Sequence, residues 1–364
     1  VGEVGDCVVI GAGAVGLACA SALAEAGRDV LVLERHTLIG SETSSRNSEV
    51  IHGGIYYPTA SNKAALCVRG KGLLYRYCEL NKVAHARCGK LIVATSDNQL
   101  DVLEGYRAQA AQNGVTDLEW LDADQVHRLE PAVRCVGGLL SPSTGIIDSH
   151  GFMLSLQGRL EAHGGMIAFG SPVSSIEVSP AGFVLRVGGA DLGCRLLVNC
   201  AGLDAPVLAA QLDPSAPHAY FARGHYFTYA GRPPFGRLVY PVAEPGGLGV
   251  HVTLDLAGQV KFGPDVEWCD APDYRFDEGR KPDFAAAIRR YFPGLDESRL
   301  QPDYVGVRPK ISGPGEPAAD FRIDGPDRHG IPGLVNLLGI ESPGLTASLA
   351  IAEHVCSLLG VHAA

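Results

Sequence analysis

Three glycines in the stretch GAGAVG, Gly11, Gly13 and Gly16, have the spacing of a turn that receives a pyrophosphate. The first permits the tight turn, the second lets the backbone approach phosphate oxygens, and the third lets helix and strand pack closely. Ala14 and Val15 open a helix whose free N–H groups and partial positive charge favour an anion. Glu34 stands 18 residues beyond Gly16, where a carboxylate accepts from both hydroxyls of a ribose and repels a 2′-phosphate. That disfavours NADP and leaves NAD and FAD; Arg35 follows directly. A second dense stretch, SSRNSEVIHGGIYYP at 44–58, sets donors around two glycines and two tyrosines. Ser44, Ser45, Arg46, Asn47 and Ser48 are the short donors needed to wrap phosphate and the carbonyls of a ring carried beyond it.

The elements that must position these groups are legible around them. DCVVI is continuously apolar, as a strand buried on both faces should be, and LACASALAEAG reads as a helix closing at Gly27. DVLVLE then completes a βαβ unit ending on Glu34. Further helical patterns cover 62–79, 99–113 and 149–163, and strands dominate 166–200. Short strands among Gly and Pro over 219–263 suggest an antiparallel sheet. A helix at 283–291, strands at 303–308 and 334–338, and a last helix from Pro343 to about Leu359 complete the reading. An α/β start, a β-rich middle and an α/β end predict a discontinuous nucleotide domain interrupted by a second one. The expected boundaries are 1–80, 141–215 and 320–364 for the first, and 81–140 and 216–319 for the second.

Bulk properties exclude several classes. The net charge of −10 with no basic tract argues against nucleic acid as a partner. No run of 18 apolar residues exists, so no bilayer span is expected, and membrane contact is at most peripheral. The ten cysteines form no CxxC and several sit in apolar runs, which predicts free thiols in a reducing compartment; no metal-ligand pattern such as HExxH is present. The chain begins at Val1, which leaves room for an upstream targeting segment.

RNSEVIHGGIYYP, KAALCVRGKGLLYRYC, CGKLIVA, TGIIDSHGF, NCAGLDA, RGHYF, LGVH, GVRPK and SPGLTASLAIAEHV span nearly the whole chain. Together they resemble the FAD-dependent oxidases and dehydrogenases of the D-amino-acid oxidase/glycine oxidase superfamily, most of all its L-2-hydroxyglutarate dehydrogenase/oxidase branch. The resemblance implies an α/β fold: an FAD-binding Rossmann-like domain of the glutathione-reductase type, with an inserted α+β substrate domain on a mainly antiparallel sheet. It implies FAD as cofactor, with Ala201 and Gly202 against the dinucleotide and backbone contacts from Val173 to adenine. Ser342 is read as the N-cap of the last helix and Pro343 as its first residue. Gly339, Ser342, Gly344, Leu345 and Thr346 would then present an open backbone and a helix N-terminus to the flavin.

By the same resemblance, Arg308 in GVRPK binds the substrate carboxylate, a task suited to a planar guanidinium. Oxidising a 2-hydroxy acid also needs a base for the hydroxyl proton; His52 and His251 are the two candidates. Tyr57, Arg223, His225 and Tyr226 are expected around the substrate. The reaction expected is oxidation of a small L-2-hydroxy acid to the 2-oxo acid by hydride transfer to flavin N5, in a cytoplasmic protein, at most peripheral to the inner membrane. Oxygen or a quinone-type carrier would take the electrons. The alternative is an amino-acid or amine oxidase of the glycine oxidase type, which needs Arg308 but no protein base. Glu49, Gly53 and Glu341 depart from the branch pattern, and a carboxylate at 341 would repel a dicarboxylate's distal end unless it points away.

Overall fold

The computed structural model describes residues 5–232, 234–243 and 249–362. Of the motifs quoted above, Leu248 of LGVH lies outside the described residues. Strand Gly5–Ile10 lies between parallel partners, Val30–Leu33 and Ala190–Asn199, in an eight-stranded sheet. Cys7 to Ile10 are buried because this strand has neighbours on both edges and helices on a face. Strand Leu334–Leu338 joins in parallel beside Ala190–Asn199, bringing the end of the chain back to the first strand. Helix Ala14–Glu25 and the last helix, Gly344–Leu358, pack together in one core under this sheet.

A nine-stranded sheet forms the second layer, built mainly from antiparallel pairs. Its long strands Tyr220–Tyr229 and Leu300–Lys310 run antiparallel, with Ala222 opposite Arg308. Strand Lys90–Ala94 lies inside the sheet, antiparallel to Gly137–Ser141 and parallel to Leu238–Pro241. Helix Asn62–Asn81 begins at Ser61, whose Oγ accepts from Ala64 N at 3.1 Å, and packs against the last helix. Gly70 makes that approach feasible, since a Cβ there would stand 2.4 Å from the Thr346 carbonyl. All ten cysteines are free, five of them buried.

One expectation at the C-terminus is corrected. Pro343, rather than Ser342, occupies the N-cap position, no side chain caps the helix, and its first residue is Gly344. Ser342 points its hydroxyl elsewhere, as described next. The short helix Ala123–Leu129, opened by a capping box between Asp122 and Gln125, has no counterpart in the sequence reading because it spans only seven residues.

Candidate active site

The carboxyl ends of the first two strands, the turn after Asn199 and the segment before the last helix open into one cavity, which the second sheet closes from the other side. Gly11, Gly13, Ala14, Val15 and Gly16 form its floor at one end. A Cβ on Gly16 would fall 1.9 Å from the Gly11 carbonyl, and one on Gly13 would meet Ser44 Oγ at 2.8 Å. Ser44 Oγ accepts from Ala14 N at 3.0 Å, tying the dense 44–58 stretch to the helix start. This cradle has no room for side chains and leaves backbone facing the cavity, as a pyrophosphate requires.

Glu34 is buried beside it, its two oxygens accepting from Ala12 N and His36 N, each at 2.8 Å. A carboxylate retains further acceptor positions when each oxygen holds one bond, so ribose hydroxyls can still be met. Val173, Ala201 and Gly202 line the same end. Arg35 also lines it, but its guanidinium pairs with Glu42 and Asp204, bridging the two loops that flank this end of the cavity. Arg46, Asn47 and Ser48 line the middle, whereas Ser45 does not. Arg46 Nε is buried without a partner among the described residues, and its guanidinium lies over the Tyr274 ring at 4.7 Å. Asn47 folds the loop, donating to Ser44 O at 2.7 Å and accepting from Glu49 N at 2.8 Å. These residues fit FAD: backbone and hydroxyl donors for phosphate, an acid for ribose, and an unpartnered guanidinium N–H further along.

His52, His251, Tyr57, Tyr226 and Arg308 gather at the far end. Thr346 supports this end from behind the lining: its Oγ1 accepts from His52 N at 2.9 Å and donates to Val50 O at 3.1 Å. His52 Nε2 meets Ser342 Oγ at 3.1 Å, which is what Ser342 does in place of capping. His251 stacks on Tyr240 at 3.8 Å, and its Nδ1 lies 3.0 Å from the Gly249 carbonyl. A carbonyl can only accept, so Nδ1 carries the proton and Nε2 keeps its lone pair. Burial in the cavity, reinforced by the Lys90 charge, lowers both histidines to about 3, so both are neutral at working pH.

Arg308 donates Nη2–H to the Asp265 carbonyl at 3.0 Å, and among the described residues no carboxylate pairs with it. Nη1 also donates to the Ala222 carbonyl at 3.5 Å, and the N–H groups not used in these two bonds remain for an anion. Gly224 makes room for this: a Cβ there would meet the Asp265 carbonyl at 2.9 Å and Arg308 Nη2 at 3.0 Å. Ser48 Oγ and Tyr226 OH are 2.8 Å apart, with Tyr226 stacked on Tyr304 at 4.4 Å.

Not every expected residue reaches the cavity. Arg223 pairs with Glu267 and Asp273, and His225 is wholly buried with Nδ1 3.1 Å from Asp265 Oδ1; neither lines it. They anchor the loop whose Asp265 carbonyl holds Arg308, with Arg280 on the other Asp265 oxygen. Gly339 stands outside the lining too.

The departures Glu49 and Glu341 do line the cavity, but both carboxylates are held. Glu49 Oε1 accepts from Ser149 N and Oγ at 3.0 and 2.7 Å. Glu341 lies between Lys63 at 3.0 Å and Lys310 at 2.8 Å, so the trio carries a net positive charge. The repulsion expected from Glu341 is thereby cancelled. Sequence reasoning missed Tyr56 and Tyr240, which line this end, and Lys90 behind them. A charged residue opening the apolar run KLIVA was the available signal.

A fold with this cradle and this cavity defines a flavin-dependent oxidoreductase, and the sequence profile described as DAO, FAD dependent oxidoreductase, matches residues 6–358. The chain belongs to that family and its cofactor is FAD. It is 45% identical to the mitochondrial L-2-hydroxyglutarate dehydrogenase of Arabidopsis thaliana, over 97% of this chain and 83% of that one. Against the L-2-hydroxyglutarate dehydrogenase of Escherichia coli K12 it is 28% identical, over 97% and 92% of the two chains. Among solved structures, dithionite-reduced L-α-glycerophosphate oxidase from Mycoplasma pneumoniae with FAD bound superposes with a TM-score of 0.88 at 24% identity, covering 98% of this chain and 95% of that one. Glycine oxidase from Geobacillus kaustophilus gives 0.84 at 19% identity, covering 98% and 94%. Both share the fold.

Proposed function

We propose that this protein oxidises L-2-hydroxyglutarate, or a closely similar L-2-hydroxy acid, to the 2-oxo acid. One observation carries the reading: Arg308, which has no carboxylate partner among the described residues, shares with two neutral histidines the cavity that begins at the dinucleotide cradle. The names and identities of the relatives support it. When bound, FAD supplies the two-electron acceptor that takes the hydride from C2 of the substrate.

The chain's own residues do the rest. Arg308 binds the C1 carboxylate through the N–H groups not given to the Asp265 and Ala222 carbonyls, and Tyr226 stands beside it to donate. His251 accepts the hydroxyl proton at Nε2, the nitrogen left open by the Gly249 bond. His52, tied to Ser342 and held at its backbone by Thr346, orients the hydroxyl. Ser44, Ser48, Arg46 and the glycine turn hold the cofactor, with Glu34 on the ribose.

The electron acceptor of this reading would be oxygen or a quinone-type carrier. Among the described residues no helix is long and apolar enough to cross a membrane. The test is anaerobic mixing of the yellow holoenzyme with a panel of L- and D-2-hydroxy acids and amino acids. Bleaching by L-2-hydroxyglutarate is the expected outcome; bleaching by amino acids alone would replace this reading with amine oxidation.

A further inference from the structure

Lys90 is fully buried, its Nζ has no hydrogen-bond partner among the described residues, and burial lowers its pKa to about 7. A buried cation without a counter-ion is costly, and proteins keep one where something arrives to pair it. The strand Lys90–Ala94 sends alternate side chains to the sheet face that carries Tyr240, because Ile92 is paired with Tyr240 across the ladder. Lys90 Nζ consequently lies 4.6 Å from the Tyr56 ring centre and 4.7 Å from that of Tyr240. Both rings line the substrate end of the cavity, and neither hydroxyl has a hydrogen-bond partner among the described residues. Cys67 and Lys71 of helix Asn62–Asn81, with His52 and His251, are the other titratable groups near it, and none supplies a settled negative charge. Burial holds the Cys67 thiol up at about 12, so it stays protonated.

Arg308 accounts for one carboxylate of a dicarboxylic substrate; the other needs a second cation, and Lys63 and Lys310 are already engaged by Glu341. Resting on the reaction proposed above, we infer that Lys90 is the specificity residue of this site: with the Tyr56 and Tyr240 hydroxyls, it receives the carboxylate at the far end of a dicarboxylic 2-hydroxy acid. Contact requires one of the two rings to turn aside; both line the cavity, Tyr56 packed edge-on against Tyr106 at 5.1 Å and Tyr240 stacked on His251 at 3.8 Å. Glu341, already neutralised by Lys63 and Lys310, does not oppose the arriving charge.

The experiment compares wild type with Lys90→Met and Lys90→Gln, each as FAD holoenzyme. Glutarate and butyrate serve as unreactive probes followed by perturbation of the flavin spectrum, and L-2-hydroxyglutarate and L-2-hydroxybutyrate as reducing substrates. Wild type should bind glutarate at least about tenfold tighter than butyrate, and both variants should lose that preference. The ratio of kcat/KM for hydroxyglutarate over hydroxybutyrate should fall about a hundredfold, the scale of a lost charge-assisted hydrogen bond. A fall below about tenfold, with both ligands weakened in parallel or neither weakened, overturns the inference, as does a wild type with no preference for glutarate. Should hydroxyglutarate fail to reduce the wild-type flavin, the proposed reaction falls, while the glutarate–butyrate comparison still judges Lys90.

Discussion

His251 donates its Nδ1–H to the carbonyl of Gly249 at 3.0 Å, and this bond fixes which ring nitrogen is the base. With Nδ1 protonated, Nε2 is an acceptor before any substrate arrives. His251→Asn should therefore slow flavin reduction by about 10²–10⁴-fold, the usual contribution of a general base. FAD affinity should hold, because residue 251 lies at the far end of the cavity from the glycine cradle. Rapid-mixing absorbance measurements under anaerobic conditions check both.

Both histidines lie near 3, so neither gains a proton between pH 8 and pH 5. The rate constant for flavin reduction at saturating substrate should lack the acid-side fall that an ordinary imidazole, titrating near 6.5, would impose. Stability carries the complementary sign. Because the folded pKa lies below the unfolded one, the unfolded chain takes up more protons as pH drops from about 6.5 towards 3. Stability is therefore full above that window and is lost through it. Melting temperatures across this range should fall less steeply in His52→Gln and His251→Gln than in wild type.

Asp265 offers its carbonyl to Arg308 and its carboxylate to His225 and Arg280. Arg308→Lys should raise KM about a hundredfold by removing the paired hydrogen bonds a guanidinium makes to a carboxylate. Asp265→Asn acts one step removed, loosening the loop that aims Arg308. It should raise KM about tenfold with a smaller change in kcat, and lower the melting temperature because Arg280 loses its buried partner. A variant that loses kcat and KM effects together in steady-state assays would place Asp265 outside this positioning role.

Gly16→Ala should abolish FAD binding. Its Cβ would overlap the Gly11 carbonyl at 1.9 Å, so the turn and the helix start must separate. The purified variant is expected to be colourless and to stay so after incubation with excess FAD, as followed by flavin absorbance.

Local order was legible in the sequence wherever one stretch of chain sufficed to specify it. The GAGAVG turn, the strand before it and the acid after it are determined over short distances, by backbone space and by periodicity. The tertiary structure decided everything that depends on who meets whom across long separations. Ser342 carries the sequence mark of an N-cap, yet its hydroxyl goes to His52, 290 residues away. Arg223 and His225 share a strand with Tyr226, yet alternation and the Asp265 loop turn them into supports while Tyr226 reaches the cavity. Glu341 is a repulsive charge in the sequence alone, and in the fold Lys63 and Lys310 flank it on either side. Lys90 reads as one charge in an apolar strand and gains meaning only from the two tyrosines folded over it. The physical reason is common to all four: the state of a charge or a proton is set by its neighbours within a few ångströms, and those neighbours come from segments that the chain's own order keeps far apart.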